Sequence, residues 1–486
     1  MRFTVGKYSR LGKNTVLVFV GNIGSKIISL LMLPFYTAWL SVADYGATDL
    51  ISVYVTFLLS IVTCCLAEAI FVFPKDQEVE KQKQYFTSGL FFAIISLIVV
   101  GFLFLIIKQI LLKYQISNIF TDYTWFIWGM IISTFFQSYL QQFSRSINKV
   151  RVYAISGVVL TAFTALLSFI LIPKFGLFGY LYAQILSFII SGLYTFLAIR
   201  GYQFLSIGIK SIPFCREMLK YSVPLIPNGI MWWLVGALNR PIMEDKLGLD
   251  AVGIFAVANK FPSIIIMLFG VFIYSWQISV IEEFKKEGYK EFYNKILRIL
   301  FSLLTLLSCL MAVCSKFIIS IMADEKFYDA WKFVPILCIA VLFSSLSGFV
   351  GTNFSATRES KYYFYSSIWG ALASILFNLV LIPQYSLWGV SLAVVLSYLV
   401  MAGSRIIYSW KYVQINNAFS YFAMLIVNVC VISVTYYIDN ILLRFIAFSI
   451  LFLTLLLINK SLYPDLRNLV RIFLMKSKRK NDQTNI

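Results

Sequence analysis

Two lysines stand where a charge is costly. Lys26 lies about twelve residues into an apolar run that begins near Thr15, roughly 18 Å along a helix, and Lys260 lies well inside a later run. A cation at the centre of a spanning helix costs about 2.5–3.5 kcal/mol on insertion scales. Each lysine has a polar helical face. Asn22, Ser25 and Ser29 accompany Lys26, and Ala256, Asn259 and Ser263 flank Lys260. A third face carries Asn228, Trp232, Val235 and Asn239, with Arg240 just beyond. Pro224 and Pro227 break the start of that helix, as suits a moving or cavity-lining element. The chemistry on offer is electrostatic. A phosphate 4 Å from an ammonium gains about 4 kcal/mol at an effective dielectric of 20, comparable with the insertion cost. The candidate substrate-binding residues are therefore Lys26, Lys260, Arg240, Asn22, Asn228 and Asn259. Glu68 is the one carboxylate read well inside a span, a candidate for ion coupling or for an ion pair with Lys26.

Covalent and metal chemistry find little support. Histidine is absent, which excludes His-based acid–base catalysis, Ser-His-Asp triads and His-ligated metals. The seven cysteines are odd in number and irregular in spacing, and none forms CxxC, so neither a disulfide framework nor a zinc site is supported. Gly6-Lys7-Tyr8 and Gly12-Lys13-Asn14 do not continue as phosphate-binding loops. We expect no catalytic residue, no metal and no cofactor, and a protein that is not an enzyme.

The elements that position these residues are membrane spans. Of the 486 residues 60% are hydrophobic and 13% charged, against about 25% charged in a soluble domain. Spans need about 20 apolar residues, and about fourteen are centred near residues 27, 61, 97, 133, 162, 190, 231, 264, 306, 344, 372, 398, 428 and 450. The first run is too long for a signal peptide and is read as a retained helix. The most polar connections are 75–84, 282–295 and the tail after Lys460. With both termini cytoplasmic, inner segments hold thirty basic residues and outer loops nine, which fixes orientation. The net charge of +19 thus sets topology; nucleic acid is not an expected partner. Segment 463–480 is basic and amphipathic and is expected to lie on the anionic inner leaflet.

Two stretches about 210 residues apart are copies. Leu171-Ile172-Pro173-Lys174-Phe175-Gly176-Leu177-Phe178-Gly179 matches Leu381-Ile382-Pro383-Gln384-Tyr385-Ser386-Leu387-Trp388-Gly389. Upstream, Phe143-Ser144-Arg145 echoes Phe354-Ser355-Ala356, and Asp44-Tyr45-Gly46 weakly echoes Ala251-Val252-Gly253. Six spans separate the copies, so both face one side and the halves are parallel repeats about an axis along the membrane normal. The expected fold is an all-α integral membrane protein of about 14 transmembrane helices, in two parallel-repeat six-helix lobes plus two extra C-terminal helices. The expected divisions are 1–210, 211–412, 413–460 and a basic cytoplasmic tail, 461–486.

With these features in place the chain resembles the Wzx-type polysaccharide flippases of the multidrug/oligosaccharidyl-lipid/polysaccharide exporter superfamily. The resemblance rests on segment 14–46 with Lys26, Pro34 and Asp44-Tyr45-Gly46, and on Tyr221-Ser222-Val223-Pro224-Leu225-Ile226-Pro227. It rests also on Asn239-Arg240, on Val252-Gly253-Ile254-Phe255-Ala256-Val257-Ala258-Asn259-Lys260, and on the two Leu-Ile-Pro loops. Relatives often carry Asp where this chain has Asn239. The resemblance implies a bacterial cytoplasmic (inner) membrane protein that moves a lipid-linked, undecaprenyl-pyrophosphate oligosaccharide from inner to outer leaflet by alternating access, for O-antigen, capsule or exopolysaccharide synthesis. Its partners would be that substrate, membrane lipids and other polysaccharide-assembly proteins.

Two rivals make different demands. A multidrug exporter of the same superfamily commonly has twelve spans and acidic groups for cationic drugs. A membrane polymerase or glycosyltransferase would use Asp44 and Asp49, read as the first outer loop, yet no outer loop exceeds about 20 residues.

Overall fold

The computed structural model describes residues 28–206 and 212–458. Lys26, Asn22 and the basic tail lie outside the described residues. Among those described, every regular element is helical: α1 (Leu33–Trp39), α2 (Val42–Val62), α3 (Leu66–Val72), α4 (Val79–Lys113), α5 (Ile119–Asp122), α6 (Thr124–Ser146), α7 (Val150–Ile199), α8 (Ile212–Ser222), α9 (Ile226–Gly236), α10 (Asn239–Leu247), α11 (Leu249–Glu283), α12 (Tyr289–Met322), α13 (Val334–Ala356), α14 (Ser360–Ser409), α15 (Ala418–Tyr437) and α16 (Ile441–Ile458). Short 3-10 turns link some of them.

Eight described helices are long and apolar enough to cross a membrane. Two of these, α7 and α14, are hairpins that supply two spans each. Gly176 (φ 55°, ψ −130°) and Ser386 (φ 51°, ψ −131°) reverse them, each three residues after a proline. In α7, Ser191 Oγ donates to the Ser156 carbonyl (2.8 Å) and Lys149 Nζ to that of Ile199 (3.1 Å), so the arms run antiparallel. Gly179 and Gly389 lie where a Cβ would come within 2.3 and 2.0 Å of the Leu171 and Leu381 carbonyls, so only glycine fits. With α6, the shorter apolar helices at Ile28–Trp39 and Ile441–Leu457 and the broken segment from α8 to α10 fill the remaining positions of the fourteen-span fold.

The repeat holds residue by residue. Adding 210 carries α6 onto α13 and α7 onto α14, end for end. It also carries the start of α4 onto that of α12. The sequence echo of Phe143 with Phe354 is one residue out of this register, which pairs Phe143 with Asn353. The starts of α2 and α11 are related by 207 and touch reciprocally. A Cβ on Gly46 would meet the Leu249 carbonyl at 2.1 Å, and one on Gly253 would meet that of Val42 at 2.1 Å. Residue i meeting j while j's counterpart meets i's is the mark of a two-fold relation. Because both are helix N-termini at one level, the axis runs along the helices. The two weak tripeptide echoes of the sequence thus pack backbone to backbone.

The chain forms two compact units. One comprises Met1–Lys260, Phe317–Phe333 and Ser367–Val400; the other Phe261–Lys316, Val334–Ser366 and Met401–Ile486. In the first, glycines let aromatic residues in. Gly101 admits Trp128, whose indole donates to the Leu97 carbonyl (3.2 Å), and Gly89 lies under Tyr139 and Met218. In the second, Trp276 stacks on Phe349 (4.7 Å) and donates to Thr352 Oγ1 (3.1 Å). There the two C-terminal helices pack on α12 through Phe301, Cys309, Val313, Met424, Val431, Leu451 and Leu455.

Among the described residues two spans are broken. Between α2 and α3, Cys64 and Cys65 take left-handed conformations (φ 50° and 52°). The 3-10 turn Val223–Leu225 and the interruption at Ala237 divide the segment from α8 to α10. Discontinuous spans free backbone groups, which membranes tolerate where a cavity or protein surrounds them.

Candidate functional site

Arg240 is the best-defined charge in the first unit. It lies in the first turn of the short helix α10, directly after the interruption, and its own N–H donates to the Ala237 carbonyl (3.1 Å). Its Nη1 donates to the Gly236 carbonyl (2.7 Å) and to Asn239 Oδ1 (2.8 Å). Its Nε donates to Asp49 Oδ2 at 3.3 Å, and its guanidinium lies 5.0 Å from the centre of the Phe255 ring. The side chain is 7% exposed and that of Asp49 23%. Arg240 therefore does not reach outward to water. Asn239 serves as an acceptor for it.

Asp49 enters the sequence reading only as a carboxylate that a polymerase would use, not as a partner of Arg240. The structure places it inside α2, one turn past Tyr45, rather than in a loop. Asp44 lies in the first turn of the same helix. The Ser41 hydroxyl accepts from its N–H (3.0 Å) and donates to its carboxylate (2.7 Å). Both carboxylates that a polymerase would need are thus engaged in helix capping and ion pairing. Only the spacing Tyr45-x-x-x-Asp49, which fits one helical face, hinted at this.

Lys260, half-buried in α11, acts electrostatically on the hydroxyls of Tyr36 and Tyr180. Those rings meet edge to face at 5.5 Å, and Tyr36 donates to Ser168 Oγ (3.4 Å). Asp49 acts on Tyr45 and Tyr180, and Arg240 on Tyr398. Two cations, a carboxylate and four tyrosines from six helices therefore share one electrostatic neighbourhood in this unit. Phenol hydroxyls with ammonium and guanidinium donors suit an oxyanion or a sugar hydroxyl.

The other expected site residues are more loosely placed. Asn259 is half-buried next to Lys260, and Asn228 half-buried in the first turn of α9. Glu68 is exposed in the first turn of α3, beside the break at Cys64–Cys65. Its expected pairing with Lys26, like Lys26 and Asn22 themselves, falls outside the described residues.

In the second unit Arg405 is completely buried. Its Nε donates to Ser366 Oγ (3.1 Å), its Nη1 to the Ser347 carbonyl (2.9 Å), and it lies 4.2 Å from the Tyr363 ring centre. It ties the two arms of α14 to α13. The sequence reading counts it among inner-loop cations; it belongs to a helix. Among the described residues no cluster of His, Cys, Asp or Glu could hold a metal.

The profile of the polysaccharide biosynthesis protein family matches residues 11–276, more than half of the sequence and most of the first unit. The chain belongs to the polysaccharide biosynthesis protein family. None of the curated proteins compared with it matches. Among solved structures, a lipid II flippase MurJ in an inward closed conformation matches with TM-score 0.69 and 14% identity, covering 93% of this chain and 99% of that one. A multidrug resistance MATE family transporter of the MOP superfamily, inward-facing, matches with TM-score 0.62 and 13% identity, covering 82% and 95%. A MATE crystal structure in the straight conformation matches with TM-score 0.58 and 13% identity over 85% and 96%. At such identities the likeness establishes the fold: this member of the polysaccharide biosynthesis protein family has the MurJ/MATE architecture.

Proposed function

We propose that this protein is a flippase that moves a lipid-linked oligosaccharide, carried on undecaprenyl pyrophosphate, from the inner to the outer leaflet of the bacterial cytoplasmic membrane. The product would feed surface polysaccharide synthesis as O-antigen, capsule or exopolysaccharide. One conjunction carries the reading. The chain belongs to a polysaccharide biosynthesis family, and its fold is like that of a lipid II flippase over nearly its whole length. The transported species would be an anionic pyrophosphate on a lipid, which suits buried cations.

In this reading residues 1–210 and 211–412 act as two lobes, 413–460 as two added spans, and both termini face the cytoplasm. Lys26, Lys260, Arg240, Asn22, Asn228 and Asn259 contact the head group, and Glu68 is an ion-coupling or ion-pair residue. The tyrosines near Lys260 and Arg240 supply hydroxyls. The pairing of Arg240 with Asp49 modifies its part: pyrophosphate would compete with a carboxylate for one guanidinium. Alternating access presents the head group to each side in turn while the tail stays in lipid. A multidrug exporter is the second reading, favoured by the shared MATE fold.

The test is a deletion in the source strain. We expect loss of surface polysaccharide, accumulation of its lipid-linked repeat unit inside, and unchanged drug tolerance. Unchanged polysaccharide with increased drug sensitivity would instead select the exporter.

A further inference from the structure

The loop after α4 and the loop after α12 follow the third span of each repeat. Register carries one onto the other: α5, residues 119–122, falls at 329–332, within the 3-10 segment Glu325–Lys332. Each loop is tied to the end of the first span of the opposite repeat. The Glu244 carboxylate, on α10, accepts from the Ile119 N–H at 2.6 Å, and Tyr54 donates to its other oxygen (3.4 Å). Reciprocally, the Asp324 N–H donates to Thr37 Oγ1 (3.1 Å), and Lys326 Nζ donates to the Ala38 carbonyl (3.4 Å). Thr37 and Glu244 are themselves related by 207, the register that relates Gly46 to Gly253.

Both loops are also anchored by apolar groups. Phe327 is fully buried against Tyr45 (5.6 Å, edge to face), with Ala330 and Trp331 buried beside it. Ile119 and Thr121 are buried, and Phe120 packs on Tyr54 and Phe104. Tyr45 and Tyr54, which these loops touch, bracket Gly46 and Asp49 along α2. Each fastening is small: one or two hydrogen bonds and a few aromatic contacts. That is the scale of something made and unmade during a cycle.

We propose that the two loops are reciprocal straps that hold the outer face of the protein shut, and that opening outward requires both to release. This rests on the alternating-access reading and the orientation given above. Symmetry gives the device a purpose. Each repeat holds the other's first span, so neither half can swing open while either strap is fastened.

The test uses the full chain in intact cells, with the seven native cysteines replaced and a reporter at Phe57→Cys, which lies against Trp233 (4.3 Å) one turn past Tyr54. The readout is labelling by a membrane-impermeant maleimide added outside. Thr37→Val with Glu244→Leu should raise the labelling rate about tenfold or more, the shift expected from losing the two hydrogen bonds that tie the loops, Asp324 to Thr37 and Ile119 to Glu244. A Thr37→Cys/Asp324→Cys pair should, once oxidised, reduce labelling at Phe57→Cys to background, and reductant should restore it, with the labelling of the same pair in a chain that keeps Phe57 subtracted at each step. Labelling that is indifferent to the cross-link, or a pair that does not cross-link, overturns the proposal. The labelling readout involves no substrate. Cells whose reporter obeys the straps but whose polysaccharide export is unaffected by the cross-link would refute the flippase reading and leave the straps standing.

Discussion

Replacing Arg240 with Met removes a guanidinium that four groups hold. At 3.3 Å and an effective dielectric of 20, its attraction to Asp49 is about 5 kcal/mol. Desolvation of both ions offsets much of that, so the net value of the intact pair is small. Removing one partner is different, because Asp49 then remains largely buried without its cation. Arg240→Met should therefore cost about 3–5 kcal/mol and lower the apparent melting temperature of the purified protein markedly. Asp49→Leu should do likewise. The double variant Asp49→Leu/Arg240→Met should regain most of the loss, since both charges leave together. Export separates structure from function. If Arg240 also contacts the pyrophosphate, the double variant is stable yet remains defective in surface polysaccharide. Thermal unfolding in detergent and polysaccharide quantitation on the same strains supply the two readouts. A single Arg240→Met variant as stable as the parent would refute the buried-pair argument. Full export in the double variant would refute a substrate contact at Arg240.

Other expectations follow from named positions. Ser386 holds a backbone conformation that costs a side-chain-bearing residue about 1–3 kcal/mol, so Ser386→Gly should stabilise by about 1 kcal/mol in thermal unfolding; Gly176→Ser should destabilise by a similar amount, although a Cβ there meets nothing. Gly46→Ala and Gly253→Ala should each cost about 1–3 kcal/mol through overpacking, because the new carbon would lie 2.1 Å from a carbonyl oxygen. Asp439, in the loop after α15, is held below the usual carboxylate range by its hydrogen bond and charge contact with Lys316. A lowered carboxylate contributes stability above its ordinary pKa and loses it as pH falls through the lowered value. Acid should thus loosen that loop below about pH 4, and Asp439→Asn should abolish the effect in pH-dependent proteolysis. Lys260→Ala should strongly reduce export at unchanged membrane level, measured by polysaccharide staining and immunoblot.

The repeat was legible because a tight reversal between two spans constrains few residues severely. Pro173 and Pro383, with Gly179 and Gly389, are required by geometry and so persist where lipid-facing positions drift. The Gly46–Gly253 crossing left a weak trace for the same reason. Pro224 and Pro227 announced the break at Val223–Leu225, but not the one at Cys64 and Cys65, which are apolar and whose type gives no sign of a left-handed backbone. The Asp49–Arg240 pair joins residues 191 apart, and in a linear reading Asp49 looked like the end of a loop. Arg405 failed in the opposite way. Four residues from the end of α14, it has the sequence position of a loop cation and the surroundings of a core residue. The straps were invisible because their ties are largely to backbone groups, which carry no side-chain signature.

The central claim is translocation, and vesicles test it most directly. The purified protein would be reconstituted into liposomes carrying undecaprenyl-pyrophosphate oligosaccharide extracted from the source strain, with outward exposure followed by an impermeant glycosidase. The account predicts that protein-containing vesicles expose the inner-leaflet pool to the enzyme at a rate well above protein-free vesicles, and that Lys260→Ala vesicles fall towards the protein-free rate. An inner-leaflet pool that stays protected in vesicles holding folded wild-type protein, with and without an imposed ion gradient, would contradict it.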